Sequence, residues 1–207
     1  MNGPTRDEGL ALLIALIVTA LLSAMGLGIV TVTSVEMKMA GAFRAEQMAL
    51  AAADAAAERA MQDLASLASW NPALTGAVRS SFSGGPAVVT VPRRGVVNLG
   101  AETAALQTQS DAFLRVGANN PIWLLYAWGW LSEAVGDPPE WGLPFVAVWV
   151  SDDPGETDTD PRTDSNGRLN VRAVAYGPAG SERAVDLTVA QITDPVAVKV
   201  LAWRVLR

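Results

Sequence analysis

The chain has 207 residues, half of them apolar, a net charge of −6, and neither cysteine nor histidine. Without cysteine it forms no disulfide, and without histidine it has no Ser-His-Asp triad and no histidine-ligated zinc site. An acidic chain repels nucleic-acid phosphates, so no nucleic-acid partner is expected. The length fits one modest domain plus one long additional element.

The N-terminal region predicts a membrane-spanning helix. Residues 1–9 are polar and end in Gly9, and the 26 residues from Leu10 to Val35 include no charged side chain. As a helix, such a segment rises about 39 Å, which exceeds a hydrocarbon core of about 30 Å. A secretory signal peptide is the alternative, but its apolar region is usually only about 7–15 residues long. We therefore expect residues 10–35 to be the transmembrane half of a helix in a lipid bilayer.

The following residues, 36–69, predict an amphipathic continuation of the same helix. They are mostly good helix formers, and no proline occurs before Pro72. Apolar residues recur every seven positions and mark one face: Phe43, Leu50, Ala57 and Leu64. The sequence thus predicts one helix from Leu10 to Ser69.

Residues 70–207 predict a β-rich globular head. Residues 70–95 contain clusters of Pro, Gly and Ser, with short strands expected at 87–91 and 95–99 and a helix at 101–116. The C-terminal third predicts four Val-rich strands separated by turn sequences: Phe145–Val150, Leu169–Tyr176, Ala184–Ile192 and Val196–Leu206. The expected fold is α+β, with an antiparallel four-stranded meander packed on the second half of the helix.

Five of the seven tryptophans fall within residues 119–150. Aromatic side chains bury large areas, so this segment could fill the core under the sheet. Tryptophan and tyrosine also anchor protein interfaces, so the segment from Trp123 to Trp149 could instead form an exposed patch for a partner. The sequence leaves both interpretations open.

An acidic stretch between the first two of these strands is a candidate calcium site. Oxygen ligands suit Ca²⁺, and six side chains supply them: Asp152, Asp153, Asp158, Asp160, Asp164 and Asn166. Glu156 lies in the same stretch. The EF-hand pattern is absent, because Arg162 occupies the fifth position of a loop that starts at Asp158. A solvated acidic loop closed by an Asn166-Gly167 turn is the alternative.

The layout resembles the type IV pilin superfamily. A short polar leader ends in glycine, an apolar helix starts at once, and an amphipathic extension leads into a head. Two stretches are similar to PilX-type minor pilins: Gly-Leu-Ala-Leu-Leu-Ile-Ala-Leu-Ile-Val at 9–18 and Glu-Met-Lys-Met-Ala-Gly-Ala-Phe-Arg at 36–44. The resemblance covers roughly the first 70 residues, and similar acidic loops that end in an Asn-Gly turn occur in PilX-like heads.

The resemblance implies a processing pathway and a location. A prepilin peptidase would cleave between Gly9 and Leu10, and the new amino group of Leu10 would be methylated. The protein would sit once across the bacterial inner membrane with a periplasmic head. The inner-membrane assembly platform would then move it into a pilus at the cell surface, beside other minor and major pilins and a tip adhesin.

Ile14 departs from the pattern of major pilins, most of which carry glutamate at the fifth mature position. In the family that glutamate pairs with the amino terminus of a neighbouring subunit during docking. An apolar Ile14 removes a buried charge from lipid and removes the pairing. It favours an initiating or tip position over a bulk one, unless the family simply tolerates an apolar residue there.

The sequence therefore favours a structural minor pilin that primes or caps pilus assembly and presents a tip adhesin. A tip pseudopilin of a type II secretion system is one alternative, although such subunits usually carry a large extra helical domain. A bitopic membrane protein with a periplasmic binding head, which would keep residues 1–9, is another. An enzyme is the weakest hypothesis, and its only carboxylate pair would be of the kind formed by Asp152 and Asp160.

Overall fold

The computed structural model describes residues 6–113, 117–134, 143–177, 180–193 and 196–206. The helices are α1 (Arg6–Ala65), α2 (Asn71–Leu74), α3 (Leu99–Phe113) and α4 (Leu131–Ala134), with a 3-10 turn at Gly117–Asn119. The strands are β1 (Val88–Val91), β2 (Gly95–Asn98), β3 (Leu124–Trp130), β4 (Phe145–Asp152), β5 (Arg168–Tyr176), β6 (Glu182–Thr193) and β7 (Val196–Leu206). The chain divides into two compact units, one ending at Phe43 and the other beginning at Arg44.

The first unit is the N-terminal part of α1, an apolar helix with its large side chains exposed. By length and composition α1 is able to cross a membrane, and no residue of its most apolar window is buried in the protein. The hydroxyls of Thr19, Thr31 and Ser34 each donate a hydrogen bond to the carbonyl four residues earlier, over 2.7–2.8 Å. These bonds satisfy the polar side chains within the helix itself, which suits an apolar surrounding.

In the second unit, α1 packs against the sheet with a face that consists mostly of alanine. Its buried face consists of small residues that allow close approach of the sheet: Ala49, Ala52, Ala53, Ala56, Ala57 and Ala60, followed by Leu64. The predicted seven-residue face is therefore correct at Ala57 and Leu64, and Leu50 is partly buried against the same core. It is wrong at Phe43, which is 62% exposed.

The helix ends at Ala65, four residues before the predicted end at Ser69. The buried indole of Trp70 donates a hydrogen bond of 3.0 Å to the Leu64 carbonyl. The same carbonyl also accepts a hydrogen bond of 3.1 Å from the Leu67 amide, so two donors hold this carbonyl in the last turn of the helix. The chain therefore turns back under the end of α1.

The central sheet has five antiparallel strands in the order β3-β4-β5-β6-β7. This confirms the α+β class and the meander, but the predicted number of four strands is wrong because the aromatic segment Leu124–Trp130 forms a fifth strand, β3. The other four strands start and end within two residues of the expected positions. The hairpin β1–β2 and α3 also form where short strands and a helix were expected, although 114–116 lie outside the described residues.

The sheet buries residues on both of its faces. On the face that we call the helix face, alternate residues of β4, including Val146, Val148 and Val150, join the core that contains the alanines of α1. On the opposite face, which we call the outer face, Phe145 and Trp149 join a second core with residues of β1, β2 and α3. Because β4 is buried along its whole length, it forms the middle of a three-layered head.

The tryptophans of segment 123–149 belong mainly to the outer-face core. Trp123 and Trp149 are buried, and the Trp149 indole donates a hydrogen bond of 2.7 Å to the Thr103 hydroxyl on α3. Trp128 and Trp130 are half-buried and pack against the same core. The core interpretation therefore holds for Trp123 and Trp149, while Trp141 lies outside the described residues.

Candidate functional site

The acidic loop joins β4 to β5 and starts from a buried carboxyl group. Asp152 is the last residue of β4, pairs with Leu169 of β5 and is only 3% exposed. Its carboxylate accepts a hydrogen bond of 3.0 Å from the Asp153 amide. The strand pairing thus holds the first acidic group of the loop in the interior.

Glu156 organises the far side of the loop. Its carboxylate accepts hydrogen bonds from the Ser165 amide at 3.0 Å, the Ser165 hydroxyl at 2.6 Å and the Asn166 amide at 3.1 Å. Glu156 is itself buried. Bonds to an ionised acceptor are stronger than neutral ones, so this residue fixes the loop's shape.

Asp164 shapes the turn that leads into β5. Its carboxylate accepts hydrogen bonds from the amides of Gly167 at 2.6 Å and Arg168 at 3.2 Å. Gly167 has a φ of +70°, which glycine adopts without steric cost. The Asp164 amide donates to the Asn71 side chain at 2.9 Å, which ties the loop to α2.

Together these residues form a group of three carboxylates. Asp152, Glu156 and Asp164 each offer an oxygen atom, and the three atoms lie within 4.8 Å of one another. Burial, the largest cause, and the negative charges of Glu156, Asp164 and Asp153 together raise the pKa of Asp152 to about 7. The arrangement concentrates negative charge that a proton or a divalent cation would neutralise.

Only two of the six predicted calcium ligands, Asp152 and Asp164, belong to this group. The Asp153 carboxylate instead accepts hydrogen bonds from the Gly155 amide at 3.1 Å and from the Asn166 side chain at 2.7 Å. Asp158 and Asp160 form local turns farther along the loop: Asp158 accepts from the Asp160 amide and Asp160 from the Arg162 amide.

The six calcium ligands predicted from the sequence do not include Glu156, although this residue lies within the acidic stretch. Glu156 follows Asp152 by four residues in a loop, and a loop has no regular repeat from which to predict that the two side chains lie together. No sequence signal identifies it, because only the folded loop brings the Ser165 and Asn166 amides to its carboxylate. Calcium binding itself stays a prediction.

The predicted processing and docking residues all lie in α1. Gly9 is exposed and, like Leu10 and Ile14, sits inside the continuous helix. Leu10 is 60% exposed and Ile14 is 53% exposed. Their roles in cleavage, methylation and docking stay predictions.

A comparison with protein-family models finds a match to the PilX N-terminal family over residues 8–58. The matched quarter of the chain includes Gly9, Leu10, Ile14 and most of the alanines on the buried face of α1. Neither the curated proteins nor the solved structures include a match to the chain. The apolar helix, the α+β head and the family match agree: the chain carries the N-terminal segment of PilX-type pilins of the type IV pilus.

Proposed function

We propose that the chain is a minor pilin, a structural subunit that primes or caps assembly of a type IV pilus. The observation that carries this proposal is the family match over residues 8–58, on a helix whose apolar side chains are exposed. PilX-type pilins are structural proteins rather than enzymes, and they act together with other pilus components.

This role is physically possible because the apolar part of α1 suits two surroundings, the membrane and the filament. In the inner membrane its exposed leucines, isoleucines and valines contact lipid. In a filament the same surface packs against the helices of neighbouring pilins, which is an equally apolar surrounding. The transfer between the two needs no refolding of the head.

The processing steps follow from the same proposal. A prepilin peptidase cleaves after Gly9, and methylation of the Leu10 amino group follows. The head lies in the periplasm, and the assembly platform moves the subunit into the pilus. These steps are supported by the family match, which spans both residues of the cleavage site.

Ile14 supports a position at the start or tip of the filament. A subunit in the bulk of a filament pairs a carboxylate at this position with the amino terminus of its neighbour. Ile14 is apolar and exposed, so it offers no such charge. A first subunit, which presents a tip adhesin, has no earlier neighbour to pair with.

Deletion of the gene from its own bacterium tests the function. We expect surface pili, counted by electron microscopy, to be lost or greatly reduced, and expression of the wild-type chain to restore them. The variant Gly9→Leu, which should block cleavage, should insert in the membrane but fail to restore pili. Normal piliation with defective protein secretion would instead indicate a secretion pseudopilin, and no change in either would contradict the proposal.

We propose that calcium binding at the three carboxylates stabilises the head, and that this role is separate from pilus assembly. The donor set consists of oxygen atoms alone, which Ca²⁺ prefers. Asp152, Glu156 and Asp164 connect the ends of β4 and β5, so a bound cation would hold the base of the loop closed.

A further inference from the structure

The two edges of the five-stranded sheet differ. The edge at β3 is covered by residues 80–84 of the same chain, which pair with it through backbone hydrogen bonds between Ser80 and Tyr126, Phe82 and Trp128, and Gly84 and Trp128. The edge at β7 pairs with β6 on one side only. Among the described residues, no strand or loop pairs with the other side of β7.

The open edge is long and apolar. β7 extends over 11 residues, and three of its large apolar side chains are exposed: Val200 at 40%, Leu201 at 45% and Trp203 at 53%. An exposed strand edge offers a row of free N–H and C=O groups to an incoming strand. Within the described part of the chain, one edge of the sheet is covered and this one is open.

The pairing register of β7 determines on which face of the sheet each of its side chains lies. Val200 pairs with Val189 and Trp203 with Leu187, which places both on the helix face. On that face the Trp203 indole donates a hydrogen bond of 3.2 Å to Asp54 of α1.

The two cations of β7 lie on the other side of the sheet. Lys199 pairs with Ala190 and Arg204 with Asp186, so both project from the outer face. A bulge at Leu201, which has no partner on β6, keeps these two cations on the same face. An added strand would therefore meet apolar groups on one face and positive charge on the other.

The positive charge is available to a partner. Lys199 is exposed and forms no ion pair with any residue that the structure describes. Arg204 is 70% exposed at its side chain, although it also contacts Asp186 at 2.9 Å. β7 includes no acidic residue, in a chain whose net charge is −6.

A second copy of the chain is a poor occupant of this edge. If two β7 strands paired antiparallel around the bulge, Lys199 of each would lie opposite Arg204 of the other. Like charges directly opposite each other destabilise a strand pair. The charge pattern instead complements a strand that carries carboxylates.

We propose that β7 is a docking edge for an extended segment of a different protein, which adds as a sixth strand and alternates acidic with apolar side chains. Its carboxylates face Lys199 and Arg204, and its apolar side chains cover Val200 and Trp203. The inference concerns the head alone and does not depend on entry of the chain into a pilus.

Peptide binding to the full chain in detergent micelles tests this proposal. The probes are three eight-residue peptides: alternating glutamate and valine, alternating lysine and valine, and four glutamates followed by four valines. We expect the first peptide to bind at least about tenfold more tightly than the second, given the energies of cross-strand charge pairs. Bound peptide should slow hydrogen exchange in β7 and not in β3.

A charge reversal at the β7 edge distinguishes strand pairing from non-specific electrostatic attraction. In Lys199→Glu the preference for the acidic peptide should fall at least about threefold, whereas the matched control Arg162→Glu, in the exposed part of the acidic loop, should leave it unchanged. Equal binding of the block peptide, or an equal effect of Arg162→Glu, would overturn the proposal. So would sedimentation that shows dimers of the full chain which Lys199→Glu alters, because β7 would then be an interface between copies.

Discussion

Asp152 is a carboxyl group that the fold buries beside other carboxylates, and its pKa has a consequence for stability. Because its pKa of about 7 in the folded state exceeds the ordinary value of 3.8, the folded state holds the proton more tightly than the unfolded state does. This contribution is fully present below the unfolded pKa and is lost as pH rises through about 7.

We therefore expect the melting temperature of the head to fall between about pH 4 and about pH 8 through Asp152. Asp152→Asn, which mimics the protonated group, should raise the melting temperature at the upper pH and flatten this part of the profile. Circular dichroism melts at several pH values measure both effects. Asp158→Asn, at an exposed position of the same loop, should leave the profile unchanged; a destabilising Asp152→Asn at high pH would contradict the interpretation.

The same three carboxylates lead to a specific prediction for stabilisation by calcium. Near pH 8, where Asp152 is ionised, added calcium should raise the melting temperature by binding only the folded state. The stabilisation should reach about 2.7 kcal/mol at a concentration 100 times the dissociation constant. Glu156→Gln should remove the effect and Asp160→Asn should keep it. An equal response to magnesium, or none to calcium, would show that the loop is not a calcium site.

Asp63 connects α1 to the segment that covers β3. Its carboxylate accepts hydrogen bonds from the Ser80 hydroxyl, the Ser81 amide at 2.9 Å and the Ser81 hydroxyl at 3.0 Å. We expect Asp63→Ala to lower the free energy of unfolding by about 1–3 kcal/mol, because several donors lose a charged acceptor. Urea denaturation measures this loss. Glu58→Gln, at an exposed position one turn earlier, should change it little, and equal losses in the two variants would count against a specific clamp.

At the scale of elements, the contact between α1 and the sheet depends on small side chains. Ala56 is fully buried there, so Ala56→Leu must displace the sheet or strain its own rotamer. We expect a loss of about 1–3 kcal/mol in unfolding free energy. Ala51→Leu, on the exposed side of the same helix, serves as the control in the same urea titration. If the two variants are equally stable, the alanine face is not closely packed.

The elements also show what the sequence could reveal. The strands β4 to β7 were predictable because turn residues such as Asn166-Gly167 separate runs rich in valine. β3 was missed because its residues are aromatic and apolar throughout, which leaves periodicity unable to separate a strand from other buried structure. The sequence predicts the end of α1 too late because the Trp70 side chain bonds back to the Leu64 carbonyl, a contact that helix propensity does not indicate.

The acidic site was predicted by composition but not by geometry. The sequence indicated that Asp152 and Asp164 could act together, since they flank one loop. It could not show that Glu156 turns inward while Asp158 and Asp160 form local turns. Those differences depend on hydrogen bonds from Ser165, Asn166 and Arg162, which only the folded loop defines.

At the scale of the whole molecule, the chain joins an apolar stem to an acidic head. The first unit carries the exposed apolar surface and most of the family match, and the second unit carries the carboxylate group and the open edge at β7. The role of a minor pilin requires both, and it depends first on processing of the stem.

The most direct test of this account is the intact mass of the protein purified from bacterial membranes, with and without co-expressed prepilin peptidase. With peptidase, the chain should begin at Leu10 and carry one added methyl group on its new amino terminus. Without peptidase, residues 1–9 should remain. Retention of those residues beside an active peptidase would contradict the assignment and leave a single-pass membrane protein outside the pilin pathway.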